Sequence, residues 1–171
     1  KMDFGIELIR DVPGALSVPI GQTVQERAMT MHPFTGVEIT DKGIALLEEY
    51  IAAIREVIGP EVPLSSDHYG HIDVNSCIRL ARAMEKHHLA WMEDMVPWQL
   101  GHLMKQIADN TTVPILTGED IYLKEDFVKL IDMGAVDAIH PDLASAGGIL
   151  ETKKIGDYAM EHGVPMAMHF A

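Results

Sequence analysis

Asp67, Glu93 and Glu119 follow one another at equal intervals of 26 residues, and each closes a short apolar run. The runs are Val62-Pro63-Leu64-Ser65-Ser66, Leu89-Ala90-Trp91-Met92 and Val113-Pro114-Ile115-Leu116-Thr117-Gly118. A strand, a helix and two turns take roughly 25 residues in a βα unit, so the interval predicts one carboxylate per repeat, at a strand end. Parallel repeats set such residues side by side, and three converging carboxylates make a site for a hard cation. Two later strand ends carry polar groups as well. Asp142 follows Val136-Asp137-Ala138-Ile139-His140-Pro141, and His169 follows Val164-Pro165-Met166-Ala167-Met168. On neighbouring strands they form a carboxylate–imidazole pair. The carboxylate fixes the ring tautomer and raises its basicity, as a general base near neutral pH requires. A lone His at the end of an apolar strand is more often structural; a carboxylate trio beside it turns the reading toward catalysis.

The elements that must position these residues alternate between strand and helix. Met2 to Ile9 is apolar enough for a strand. A helix is predicted from about Thr40 to Ile58, with Thr40 as N-cap, an apolar stripe at Ile44, Leu47, Ile51 and Ile54, and Gly59-Pro60 as the stop. Strands are predicted at Pro63 to Ser66, Leu89 to Met92, Val113 to Leu116, Val136 to His140 and Val164 to Met168. Helices are predicted from about Asn75 to His88, from Pro97 through Leu100, Leu103, Met104 and Ile107, through Phe127, Leu130 and Ile131, and from about Ile149 to Glu161, with glycines at 134 and 163 closing the last two. The strand starts at 63, 89, 113, 136 and 164 are 26, 24, 23 and 28 residues apart. Such regular spacing favours a parallel α/β fold of the (βα) barrel type over a doubly wound sheet. A complete barrel takes eight strands and about 250 residues. Six strands are found here, so the chain reads as part of a barrel. The stretch from about 11 to 39, rich in Pro, Gly, Met and Thr, breaks the rhythm and is expected as a long loop over the mouth of the barrel. A surface insertion without catalytic contact is the plainer alternative for it.

With 171 residues and 47% hydrophobic content, the chain can bury one sizeable core. A net charge of −13 argues against nucleic acid or an anionic membrane as partner, because both require basic patches. Cys77 is the sole cysteine, so no internal disulfide forms and a reducing, cytoplasmic setting is expected. Neither a run of roughly 20 apolar residues nor a signal-peptide pattern is found. The chain opens at Lys1 directly in a strand-like segment, which reads as a cut.

These strings together resemble the enolase superfamily, and within it the mandelate racemase subgroup of the mandelate racemase/muconate lactonizing enzyme family. The carriers are Asp67 in "SSDHYG", Glu93 in "WMED", Glu119 in "LTGED", Asp142 in "HPDLASAGGI" and His169 in "MAMHF", and the resemblance covers nearly the whole chain. It implies a Mg²⁺ ion held by Asp67, Glu93 and Glu119. That ion would bind a substrate carboxylate, acidify the neighbouring C–H and stabilise the resulting enediolate. His169, oriented by Asp142, would remove or return the proton. Asp94 stands where the family usually shows a second Glu, and is expected beside the metal ligands, not among them. The resemblance also implies that residues 1–171 belong to the C-terminal catalytic barrel, that a capping domain is absent from this chain, and that the protein is a symmetric homo-oligomer.

The first strand departs from the subgroup. Many relatives carry two lysines separated by one residue there, one of them a second acid/base on the opposite face of the substrate. This chain has Lys1-Met2-Asp3. Lys1 fits the first position, near the substrate carboxylate; Asp3 occupies the base position and could bind a substrate hydroxyl. With one clear base, loss of a β-hydroxyl is favoured over racemisation, and a sugar-acid dehydratase yielding a 2-keto-3-deoxy acid is the leading expectation. Tyr69, two residues after Asp67, is a candidate general acid; His71, or His169 itself in a syn elimination, are the others. His32 in the long loop is a candidate substrate contact. A racemase or epimerase of a 2-hydroxy or amino acid is the alternative within the family. A non-catalytic barrel fragment or binding scaffold is the alternative outside it.

Overall fold

A computed structural model of the chain describes residues 1–24, 36–68, 70 and 72–170. Its strands are β1 (Met2–Asp3), β2 (Leu16–Ser17), β3 (Glu38–Ile39), β4 (Ser66–Asp67), β5 (Met92–Glu93), β6 (Ile115–Thr117) and β7 (Ala138–Ile139). Its helices are α1 (Asp41–Ile58), α2 (Val74–Met84), α3 (Gly101–Ala108), α4 (Lys124–Met133) and α5 (Ile149–Glu161). Five strands form one parallel sheet in the order β1-β4-β5-β6-β7, while β2 and β3 pair with each other antiparallel. Within the large sheet each strand lies beside the next one in the chain. That is barrel order; a doubly wound sheet reverses direction at a switch point.

The helices begin and end where local chemistry dictates. Thr40 Oγ1 accepts the Gly43 N–H at 3.1 Å to cap α1, and Gly59, at φ 75°, closes it. Asp73 caps α2 by accepting the N–H groups of Asn75 and Ser76 at 2.8 and 3.1 Å. Successive helices pack on one another along the sheet. Between helices and strands, Leu80, Met104, Phe127 and Ile155 close over Met92, Ile115 and Ile139, all of them buried. This apolar layer fixes the strands, and the strands fix what their ends present.

Three expectations need correction. The first strand does not run to Ile9: after Asp3 the chain turns into a 3₁₀ helix, Ile6–Leu8. Burial does not alternate, since Phe4, Gly5 and Ile6 are buried in succession and Ile9 follows three residues later, and the Ile9 N–H closes the turn on the Ile6 carbonyl at 3.0 Å. The helix expected to reach His88 stops at Met84, followed by a 3₁₀ turn, Glu85–His87, and His88 at φ 50°. The sixth strand is not a continuous ladder. It is a parallel track beside β7, with isolated bridges Ile139↔Met166 and Asp142↔His169. Pro141 and Pro165 lack the N–H groups a regular ladder would use there. The long loop is framed by β2 and β3, and its part from 25 to 35 lies outside the described residues. Among the described residues no helix is long and apolar enough to cross a membrane.

Candidate metal and proton-transfer site

Strand register brings the first two carboxylates together. Asp67 and Glu93 are directly opposite one another on β4 and β5. Glu119 reaches them differently, from two residues beyond the end of β6, after Gly118. A Cβ on Gly118 would stand 2.7 Å from the His140 carbonyl carbon and 2.8 Å from its nitrogen, so only glycine lets the backbone pass there. The three acids meet around the Lys1 ammonium. Lys1 Nζ lies 2.8 Å from Glu93 Oε1, 3.1 Å from Asp67 Oδ2 and 3.4 Å from Glu119 Oε2. Lys1 is thus a counter-ion held between the acids.

The electrostatics of the cluster call for positive charge. Asp67 and Glu93 are 2% and 0% exposed. Burial pushes the Asp67 carboxyl up to about 6 against the hydrogen bond from Lys1, and the charges of Glu93 and Glu119 add to the rise. Burial alone would lower the Lys1 ammonium, but its hydrogen bonds to Glu93 and Asp67 outweigh that and hold it above its ordinary value. Asp67 Oδ1 is buried without a hydrogen-bond partner among the described residues. An orphaned buried oxygen, an all-oxygen donor set and an ammonium seated among the donors all fit a hard divalent cation such as Mg²⁺. Asp94, at φ 50°, turns aside and accepts the Thr117 hydroxyl at 2.6 Å, yet one of its oxygens stays within 4.8 Å of the ligand atoms of the other three acids. Burial pushes Asp94 up to about 7, and the charges of Asp67, Glu93 and Glu119 add to it despite the bond from Thr117.

The imidazole–carboxylate pair stands beside this cluster. His169 Nδ1 is 2.9 Å from Asp142 Oδ2, and the other Asp142 oxygen accepts the Ala144 and Ser145 N–H groups at 2.8 and 2.9 Å. The bond from His169, followed by the Ser145 N–H, holds Asp142 down at about 2. Because Asp142 stays ionised, Nδ1 carries the proton of the neutral ring and Nε2 is free to take one. Nε2 points at Glu119 Oε2, 3.0 Å away. A cavity of about 350 Å³, lined by Leu143, Ile149 and Phe170 among others, opens onto Asp142 and His169.

Two residues outside the sequence-based expectation touch Glu93. Trp91 Nε1 donates to Glu93 Oε2 at 3.0 Å, and His140 Nε2 lies 3.5 Å from Glu93 Oε1. Trp91 precedes Glu93 by two, so strand alternation puts both on one face. His140 ends an apolar run, the same kind of position that marks Asp67. Asp3 is exposed and in register with Asp67. Tyr69, His71 and His32 lie outside the described residues.

Comparison with known proteins bears on this arrangement. A family model described as enolase C-terminal domain-like matches residues 22–171. The D-xylonate dehydratase of Haloferax volcanii is 36% identical over 121 residues, which cover 71% of this chain and 29% of that protein. A mandelate racemase/muconate lactonizing enzyme-like protein of Rubrobacter xylanophilus superposes with a TM-score of 0.75 at 36% identity, over 77% of this chain and 34% of that one. The L-talarate dehydratase of Polaromonas sp. JS666, solved with Mg and L-glucarate, gives 0.71 at 30% identity, over 75% of this chain and 36% of that one. The chain therefore spans about a third of the length of the proteins it matches.

Proposed function

Because this chain belongs to the enolase C-terminal domain-like family, we infer that it carries the metal-binding and proton-transfer face of a Mg²⁺-dependent sugar-acid dehydratase. The observation that carries the reading is the 3.0 Å approach of His169 Nε2 to Glu119 Oε2. It joins a base whose tautomer is fixed to the edge of a three-carboxylate cluster. The names of the relatives, D-xylonate and L-talarate dehydratase, support a hydro-lyase acting on a hydroxylated carboxylate.

Asp67, Glu93 and Glu119 would hold the ion, with Trp91 fixing one oxygen of Glu93. An ion held by these residues would supply positive charge against the substrate carboxylate and against the charge that builds as the α-proton leaves. His169 Nε2 takes that proton, and Asp142 stabilises the imidazolium that results. The same proton then leaves with the β-hydroxyl as water, and the enol product tautomerises to a 2-keto-3-deoxy acid. The second-base position holds the exposed Asp3 in place of a lysine, and Lys1 is engaged by Asp67 and Glu93, which supports chemistry with one base.

The test is a panel of aldonates and aldarates incubated with the protein and Mg²⁺. A 2-keto-3-deoxy product trapped by semicarbazide is expected for at least one of them. Recovery in D₂O of substrate deuterated at the α-carbon in both configurations, without that product, replaces the dehydratase by a racemase.

A further inference from the structure

We propose that His140, His169 and Glu119 form a second metal site, which takes a borderline divalent ion of the zinc class beside the hard-cation carboxylates. One ligand atom from each of the three lies within 4.8 Å of the others. The two rings are prepared in the same way. His140 Nδ1 is 3.0 Å from the Ala167 carbonyl oxygen, which can only accept, so Nδ1 carries the proton and Nε2 the lone pair. His169 Nδ1 faces the Asp142 carboxylate at 2.9 Å with the same result. Both Nε2 atoms are then turned on carboxylate oxygens, His140 on Glu93 at 3.5 Å and His169 on Glu119 at 3.0 Å. A lone pair facing a carboxylate oxygen repels it unless a proton or a metal ion stands between them.

The two rings present the same need, and His140, 6% exposed, meets it away from water. A metal ion answers it for both rings. Two neutral imidazoles, each donating its other N–H to a carbonyl or carboxylate, plus one carboxylate, are the ligand set of zinc-class ions, not of Mg²⁺. The rings meet at 82° with centroids 5.3 Å apart, so they are not stacked and their nitrogens approach a common region from different directions. Ligand atoms around a tetrahedral ion at about 2.0–2.1 Å stand closer together than 4.8 Å. The partly exposed side chains of His169 and Glu119, at 20% and 23%, have room to close that gap onto His140.

Glu119 belongs to both clusters. An ion in the second site would take the lone pair of His169 Nε2 and a share of Glu119, and so would block the proton transfer proposed above. That consequence rests on the dehydratase reading; binding itself does not.

Co²⁺ added to Mg²⁺-saturated protein separates the two. The expected result is the intense visible absorption of a four- or five-coordinate, imidazole-bearing Co²⁺ centre, bleached by Zn²⁺. It should persist in Asp67→Asn and be lost in both His140→Gln and His169→Asn, the second variant covering a failure of the first to fold. Asp142→Asn should weaken Zn²⁺ binding by about 10–100-fold, as loss of a partner behind a ligand does. A weak six-coordinate, all-oxygen spectrum in the wild type overturns the proposal, as do bands that survive both His substitutions. A failure of every sugar acid to react would sink the dehydratase reading, while the Co²⁺ spectrum alone decides whether the second site exists.

Discussion

Glu93 is in register with Leu116 on the neighbouring strand, not with Glu119. The 26-residue interval therefore means two different things along the chain. From Asp67 to Glu93 it is a true strand repeat, and the two residues are opposite one another. From Glu93 to Glu119 the strand repeat is shorter, and the remaining residues carry the chain past β6 and back toward the cluster.

That return depends on Gly118. Replacing it by alanine would force a methyl group to within 2.7 Å of the His140 backbone, where no flexible side chain can yield. Gly118→Ala is expected to destabilise the fold by about 1–3 kcal/mol in denaturant unfolding. It should also weaken Mg²⁺ binding, measured by calorimetry, because Glu119 is displaced. A variant with wild-type stability and affinity would show that the backbone reaches the cluster another way.

How much of this was legible in the sequence follows from the same comparison. Local rules placed α1 to the residue, because a Thr cap, an apolar stripe and a Gly stop all act within a few positions. The parallel order and the membership of the carboxylate cluster were legible because strand ends repeat. Register was not legible, since loop residues count toward an interval as strand residues do. Nor was the partnership of His140 with Glu93, because it depends on side chains meeting across strands far apart in sequence; that of Trp91, two residues before Glu93 on the same face, lay within reach of strand alternation. Lys1 seated among the acids was beyond spacing as well: it follows from two buried carboxylates and a partly exposed third needing a cation.

Asp67→Asn tests that need directly. In chelator the raised Asp67 carboxyl, at about 6, opposes folding above its ordinary value near 4. The sign follows from linkage: a carboxyl raised on folding lends stability at low pH that is lost as pH climbs through 6. At pH 7 the substitution should therefore raise the stability of the metal-free protein by up to about 3 kcal/mol. The same variant should lose the Mg²⁺-dependent rise in melting temperature expected of the wild type. A variant that is less stable in chelator, or that still gains from Mg²⁺, contradicts the assignment of Asp67 as a strained ligand.

The His169–Asp142 pair predicts a graded loss of proton transfer. His169→Asn should slow exchange of the substrate α-proton with solvent by about 100- to 10,000-fold, the usual contribution of a general base. Asp142→Asn keeps the ring but no longer selects its tautomer, and should cost at least about tenfold, with Mg²⁺ affinity unchanged in both variants. Exchange followed by NMR in D₂O reads both. Full exchange in His169→Asn would move the base elsewhere.

Cys77 offers a check on the fold that is independent of the site. It is completely buried on α2, and its thiol donates to the Met95 carbonyl at 3.2 Å. Burial, and then the charge of Asp73, hold its pKa far above the ordinary thiol value. The unfolded chain releases this proton near pH 8.5 while the folded one keeps it, so the unfolded state binds fewer protons above that point. Stability must then fall with rising pH, by up to about 1.4 kcal/mol per unit from this group. Urea unfolding at pH 8 and pH 10 should show a steeper decline for the wild type than for Cys77→Ala, whatever the other titrating groups add to both. A thiol reagent should leave the native protein untouched and label one cysteine on unfolding. Rapid labelling of the folded chain would mean that α2 does not close over β5 as described.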